Sequence, residues 1–212
     1  MDHTALLVMH AWDCGSYEKF PGWFRHVEYL PRAQQILKDK FPRLFSSVRN
    51  TSMKVFHVVG GGKYYQTFPG YEKAKELEKK IAGRWGWRKN VFQPRLQIQK
   101  SPARKILDQF REENGGPGNH NQADIARGFQ QLDFPLEAKP VGDEGIAENS
   151  LQLFALCKQY HIDHLIYVGF AINWCLLLSP GGIAEMSKLG LLCSTDRKST
   201  RLNSSPRIRY RM

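Results

Sequence analysis

The chain has 212 residues, 42% of them hydrophobic and 24% charged, which suits one domain with a single sizeable core. No run approaches the roughly 20 apolar residues of a membrane span, and the N-terminus lacks the basic and apolar regions of a secretory signal, so a cytoplasmic protein with no membrane partner is expected. The formal charge of +11 suggests nucleic acid, but +5 of it lies in residues 196–212, where Arg197, Lys198, Arg201, Arg207, Arg209 and Arg211 face only Asp196. The remaining charge forms no basic cluster interleaved with aromatics, and no nucleic-acid partner is expected.

The first element is the short apolar run Ala5–His10, read as a buried strand. A loop rich in glycine, proline and aromatics follows from Asp13 to Val27. Leu30, Ala33, Leu37, Phe41 and Leu44 then recur at helical spacing, with Pro42 expected to kink or restart the helix. Met53–Val59 reads as a second strand, closed by Gly60-Gly61-Gly62. Strand, helix, strand at this spacing is a βαβ unit, which implies a parallel sheet. The triple glycine lacks both phosphate-binding fingerprints and reads as a turn at the sheet edge.

Tyr71–Ile81 is a charge-rich helix with a solvated face. From Gly83 to Phe134 the pattern weakens, and about 84–134 reads as an insertion covering one edge of the sheet. Within it Ser101-Pro102 opens a helix to about Glu113, with serine as N-cap and proline at N1, and Asn114–Asn121 reads as a loop. Asn149–Tyr160 is predicted helical, burying Leu153, Leu156 and Cys157. Leu165–Val168 reads as a buried strand that breaks at Gly169 and delivers Cys175 into the first turn of a helix.

A thiol at a helix N-terminus meets unpaired N–H groups and the positive end of the helix dipole, which favour thiolate. At the carboxyl edge of a parallel sheet, where open α/β sheets bind ligands, such a cysteine is a candidate nucleophile. The opposing reading is that Cys175 simply fills space, as buried cysteines usually do. The four cysteines are scattered, and His57, His120, His161 and His164 show no ligand spacing, so no metal and no cofactor is expected.

Gly169-Phe-Ala-Ile-Asn-Trp-Cys175 resembles the Gly-x-Ala-Thr-Asn-x-Cys turn of the isochorismatase-like cysteine hydrolases. Gly169, Ala171, Asn173 and Cys175 match, whereas Ile172 replaces the threonine. The resemblance is good over Ile162–Ser194, fair over Thr4–Val59 and poor between them. It implies a three-layer, doubly wound α/β domain over residues 1–195 with Rossmann-like strand order 3-2-1-4-5, and a last strand missing after Leu191–Ser194. Asp196–Ser205 reads as translated sequencing adapter, so residues 196–212 are expected to be a non-native tail.

The family uses an aspartate after strand 1, a lysine on another loop, and the cysteine. At the aspartate position this chain has His10-Ala11-Trp12, so His10 or nearby Asp13 is the candidate base. Lys139-Pro140 resembles the family's Lys-Pro at the end of the third strand, although the Ser-Ala-Phe that follows there is absent. The resemblance also implies a non-proline cis peptide at Phe170–Ala171, and an oxyanion hole from the Ala171 and Cys175 N–H groups. Two readings stay open. One is a hydrolase of a small amide or related substrate through a Cys175 thioester. The other is a catalytically silent relative that binds a small molecule or another protein, including a second copy in a homo-oligomer.

Overall fold

The structure, a computed structural model, describes residues 1–85, 101–114 and 119–195. Its centre is a sheet of five parallel strands: β1 (Thr4–Met9), β2 (Lys54–Val58), β3 (Gly145–Ala147), β4 (His164–Gly169) and β5 (Leu192–Thr195). The order is β3-β2-β1-β4-β5, the expected doubly wound arrangement, with β1 between β2 and β4. A central parallel strand is covered on both faces, which is why Ala5–Met9 is apolar without interruption.

Alternate residues of β1 feed two cores. Leu6 and Val8, with Val55 of β2, pack against Ala33, Leu37, Phe41 and Phe45 of the first long helix, α2 (Leu30–Arg49), which follows the short α1 (Pro21–His26). Ala5, Leu7 and Met9 pack on the other side with Ala74 of α3 (Pro69–Trp85), Leu153 and Leu156 of α6 (Ser150–Gln159) and Met186 of α7 (Ile183–Lys188). Helix, sheet, helix makes the three layers.

Several expectations hold in detail. The α6 helix is capped by Asn149, whose side chain accepts from the Gln152 N–H. In α4 (Pro102–Asn114), the Ser101 hydroxyl accepts from the Arg104 N–H at 3.2 Å. Others are corrected. Pro42 lies inside α2, which runs unbroken because its buried stripe spans the proline. Asn119–Asn121, read as loop, open a fifth helix, α5 (Asn119–Gln130). The third strand is Gly145–Ala147, so Lys139-Pro140 precedes it instead of closing it. Cys175 lies in a π-helical turn, Ile172–Leu176, that runs into a short helical stretch at 177–178, and the next helix, α7, begins at Ile183. Residues 86–100 and 115–118 of the predicted insertion, and the predicted tail 196–212, lie outside the described residues.

The α5 helix is held on α1. The Asp124 carboxylate accepts from the buried Gly22 N–H at 2.7 Å. Gly128 lies so close to Trp23 that a β-carbon there would fall 2.1 Å from its ring. Trp23 in turn stacks on Phe129 of α5, with ring centroids 4.9 Å apart. This pair of helices stands over the carboxyl end of β1. No described helix is long and apolar enough to cross a membrane.

Candidate functional site at the carboxyl edge of the sheet

In a sheet of this order, the carboxyl ends of β1 and β4 face one crevice at the topological switch point. The chain leaves β4 through Gly169 at φ 149°, where a β-carbon would lie 2.3 Å from the Met9 carbonyl oxygen. Only glycine fits between the two strand ends, which gives this residue of the motif a physical reason. The chain then turns through Ala171 at φ 55° into the π-helical turn. No described peptide bond is cis, so the cis bond expected at Phe170–Ala171 is not found.

Cys175 is half-buried, and its backbone N–H donates to the Ala171 carbonyl at 2.8 Å. That donor is occupied inside the turn instead of facing an oxyanion. Burial pushes the thiol up from its ordinary value, opposed in part by a hydrogen bond from Ser179. Cys175 sits inside the turn with its own N–H already bonded to Ala171, not at the free N–H groups of a helix N-terminus as expected.

The three proposed partners of Cys175 each make other contacts. His10, at φ 50°, directly follows β1, and its ring stacks on Trp12 at 4.9 Å. Burial lowers its pKa to about 4, so the ring is neutral near pH 7. Asp13 is exposed and structural: its Oδ1 accepts from the Gly15 N–H at 2.8 Å, and its backbone bridges Asp133. Lys139 is exposed, and its carbonyl accepts from the Arg49 guanidinium at 3.0 Å. Arg49 ends α2, just before β2, so Lys139 stands at the amino edge of the sheet, across from Cys175. Among the described residues, no hydrogen bond or ion pair joins Cys175 to His10, Asp13 or Lys139. No described group of three or more His, Cys, Asp or Glu side chains is placed to hold a metal ion.

What the carboxyl edge does contain is a cavity of about 330 Å³. Trp12 of the loop after β1, Trp23 of α1, Tyr29 and Leu30 at the start of α2, and Ile125 and Phe129 of α5 form its walls. Its remaining polar side chains, His26 and Gln122, are exposed at the surface, and no Asp, Glu, Lys or Arg lines it. Tyr29 connects the cavity to the cysteine turn. Burial pushes its hydroxyl well up, and the thiols of Cys175 and Cys14 lie within electrostatic reach and add to the rise. Sequence reading did not find Tyr29 or α5, because neither carries a motif and both gain meaning only from long-range packing.

Among the described residues, three buried polar atoms lack a partner at full hydrogen-bond geometry, His10 Nδ1, Trp12 Nε1 and the Tyr64 hydroxyl, and of these residues only Trp12 lines the cavity. The Tyr64 hydroxyl is pushed up by burial, and a weak hydrogen bond from the Trp12 N–H partly offsets this, so these two groups answer each other.

Elsewhere the buried charge is satisfied. Arg49 donates to both Glu144 oxygens, at 2.7 and 2.9 Å, and His57 lies 3.1 Å from the same carboxylate. Burial alone raises the Glu144 carboxyl, but the hydrogen bonds from His57, Arg49 and the Val141 N–H outweigh it and hold the pKa at about 2. This cluster ties α2 to β2 and β3.

The fold and the crevice define an α/β domain of the three-layer, Rossmann-like class. No protein-family model matches the chain, and a search of curated proteins finds no match.

Proposed function

We propose that the chain is a small-molecule-binding domain whose crevice at the carboxyl edge receives a flat, apolar ligand, and that it is the catalytically silent kind of isochorismatase-like relative. The observation that carries this reading is the aromatic cavity at the switch point, where open α/β sheets place their ligands. Its volume lies at the lower end of the range for ligand sites, and Trp12, Trp23, Tyr29 and Phe129 supply aromatic walls beside Val27, Leu30 and Ile125. The local chemistry around Cys175 supports the same reading. A nucleophilic cysteine needs a base within hydrogen-bond reach or a cationic neighbour; the thiol here has Ser179 and a phenol, and it is pushed away from ionisation.

The hydrolase reading keeps one specific observation. Cys175 sits at the correct edge, after a glycine the strand geometry requires. Two measurements separate the readings. In equilibrium dialysis, one equivalent of 2-ethylnaphthalene should bind the wild-type chain, and Gln122→Trp, which fills the exposed mouth of the cavity, should abolish binding. With a panel of small carboxamides, ammonia release that disappears in Cys175→Ala would overturn the silent reading; no such release is expected.

A further inference from the structure

The cavity has two chemically different ends. It runs along one face of α5, where Gln122, Ile125 and Phe129 recur at helical spacing, so its ends lie about 10 Å apart by the rise of the helix. At the first end, the Arg25 side chain donates to Asn121 at 3.3 Å, which sets the last turn of α1 beside the first turn of α5. His26 and Gln122 therefore share that end, and both are exposed. At the second end Trp23 is buried, and Phe129 packs flat on it and edge-on to Trp12.

The second end offers a ligand no hydrogen bond. Phe129 fills the space between the two indoles, and the Trp12 N–H is answered by the Tyr64 hydroxyl. Phe129 is 37% exposed, but its ring presents only carbon. Val27, Leu30 and Ile125 line the middle, and the Tyr29 hydroxyl lies towards the Cys175 and Cys14 thiols. A polar group carried to the inner end would lose its water without gaining a partner, which is unfavourable. At the mouth the same group stays wet and meets His26 and Gln122, whose carboxamide both donates and accepts.

We infer that the ligand is a two-ring aromatic molecule with one polar, hydroxyl-like terminus, lying along α5 with its rings towards Phe129 and its terminus at the mouth beside His26 and Gln122. This rests on the small-molecule reading of the crevice and adds to it an orientation and a chemical class. The span from Gln122 to Phe129 suits two fused rings and a short terminal group. The single polar end follows from the difference between the two ends of the cavity.

The test uses three probes that share one ring system, measured by equilibrium dialysis at pH 7. They are 2-ethylnaphthalene, 2-naphthalenemethanol, in which a hydroxyl replaces the methyl, and 2,6-naphthalenedimethanol, with a hydroxyl at each end. The mono-alcohol should bind within about threefold of the ethyl compound, because its hydroxyl stays at the mouth. The diol should bind at least about tenfold more weakly than the mono-alcohol, because one of its hydroxyls must be buried without a partner. Gln122→Leu should weaken the mono-alcohol about threefold and leave the ethyl compound unchanged or tighter. His26→Leu, at another exposed position, gives an independent check on the same ratio. Diol binding as tight as that of the mono-alcohol would overturn the single polar end. A mono-alcohol more than about tenfold weaker than the ethyl compound, or an equal effect of Gln122→Leu on both, would overturn the polar mouth. These outcomes leave the crevice reading in place, whereas failure of all three probes to bind would remove it as well.

Discussion

Acid should destabilise this protein through His10 in a way that a single substitution removes. The ring is buried against Trp12, and burial holds its pKa at about 4 against an ordinary 6.5. A base whose folded pKa is depressed leaves stability intact above the unfolded value and withdraws it as pH falls towards the folded value. Between pH 7 and pH 4.5 the wild type should therefore lose about 2.5 kcal/mol through this residue, with a limiting slope of about 1.4 kcal/mol per pH unit. His10→Asn is the right perturbation, because asparagine tolerates the φ of 50° and does not titrate. At pH 7 the variant should be less stable by about 0.5–1 kcal/mol, from the lost stacking on Trp12. The deficit should shrink as pH falls and reverse near pH 6. His57 is also buried and held down by burial, but it is present in both proteins, so the difference between their urea-denaturation curves isolates His10. Parallel pH profiles for wild type and variant would refute the reasoning. They would mean that His10 titrates freely, as a catalytic base at an open site does.

Arg49→Met should cost about 2 kcal/mol at pH 7, because Glu144 loses a bidentate partner that is itself partly exposed. The Glu144 contribution is present above about pH 4.5 and lost as pH falls towards 2, so the same variant should lose less stability than wild type over that acid window. Urea denaturation at neutral and acid pH checks both statements. Gly128→Ala should destabilise by about 1–3 kcal/mol, since the new methyl displaces the Trp23 ring, and should shift tryptophan emission before global unfolding.

The sheet was legible where apolar runs mark its strands. Ala5–Met9 is buried on both faces, Leu165–Val168 buries Leu165 and Tyr167 and half-buries Ile166 and Val168, and the helix between β1 and β2 shows its buried stripe at Leu30, Ala33, Leu37 and Phe41. The third strand was not legible, because it is only Gly145-Ile146-Ala147 and takes its place from pairing with Phe56–Val58. That short strand is also why Lys139 was read at the wrong edge. The α5 helix escaped because Asn119–Gln130 is polar and is buried through Asn121, Asp124 and Gly128, where contact with α1 decides burial. The candidate site divided in the same way. Gly169 and the seat of Cys175 follow from a local turn and can be read in order. The cavity combines residues 12, 23, 29, 125 and 129, and no local pattern links them. His10 has the chemistry of a base, and burial lowers its basicity, which no local pattern shows.

The ionisation of the Cys175 thiol tests the central claim most directly. Alkylation by iodoacetamide across pH 5–10, with the labelled peptide quantified by mass spectrometry, reads it residue by residue. The account predicts that Cys175 reacts no faster than an ordinary free thiol at pH 7, with reactivity rising only in the alkaline range, because burial pushes its pKa up and Ser179 offsets this only in part. Rapid, selective alkylation of Cys175 near neutral pH, with an inflection below 7, would contradict it and return the protein to the cysteine hydrolases.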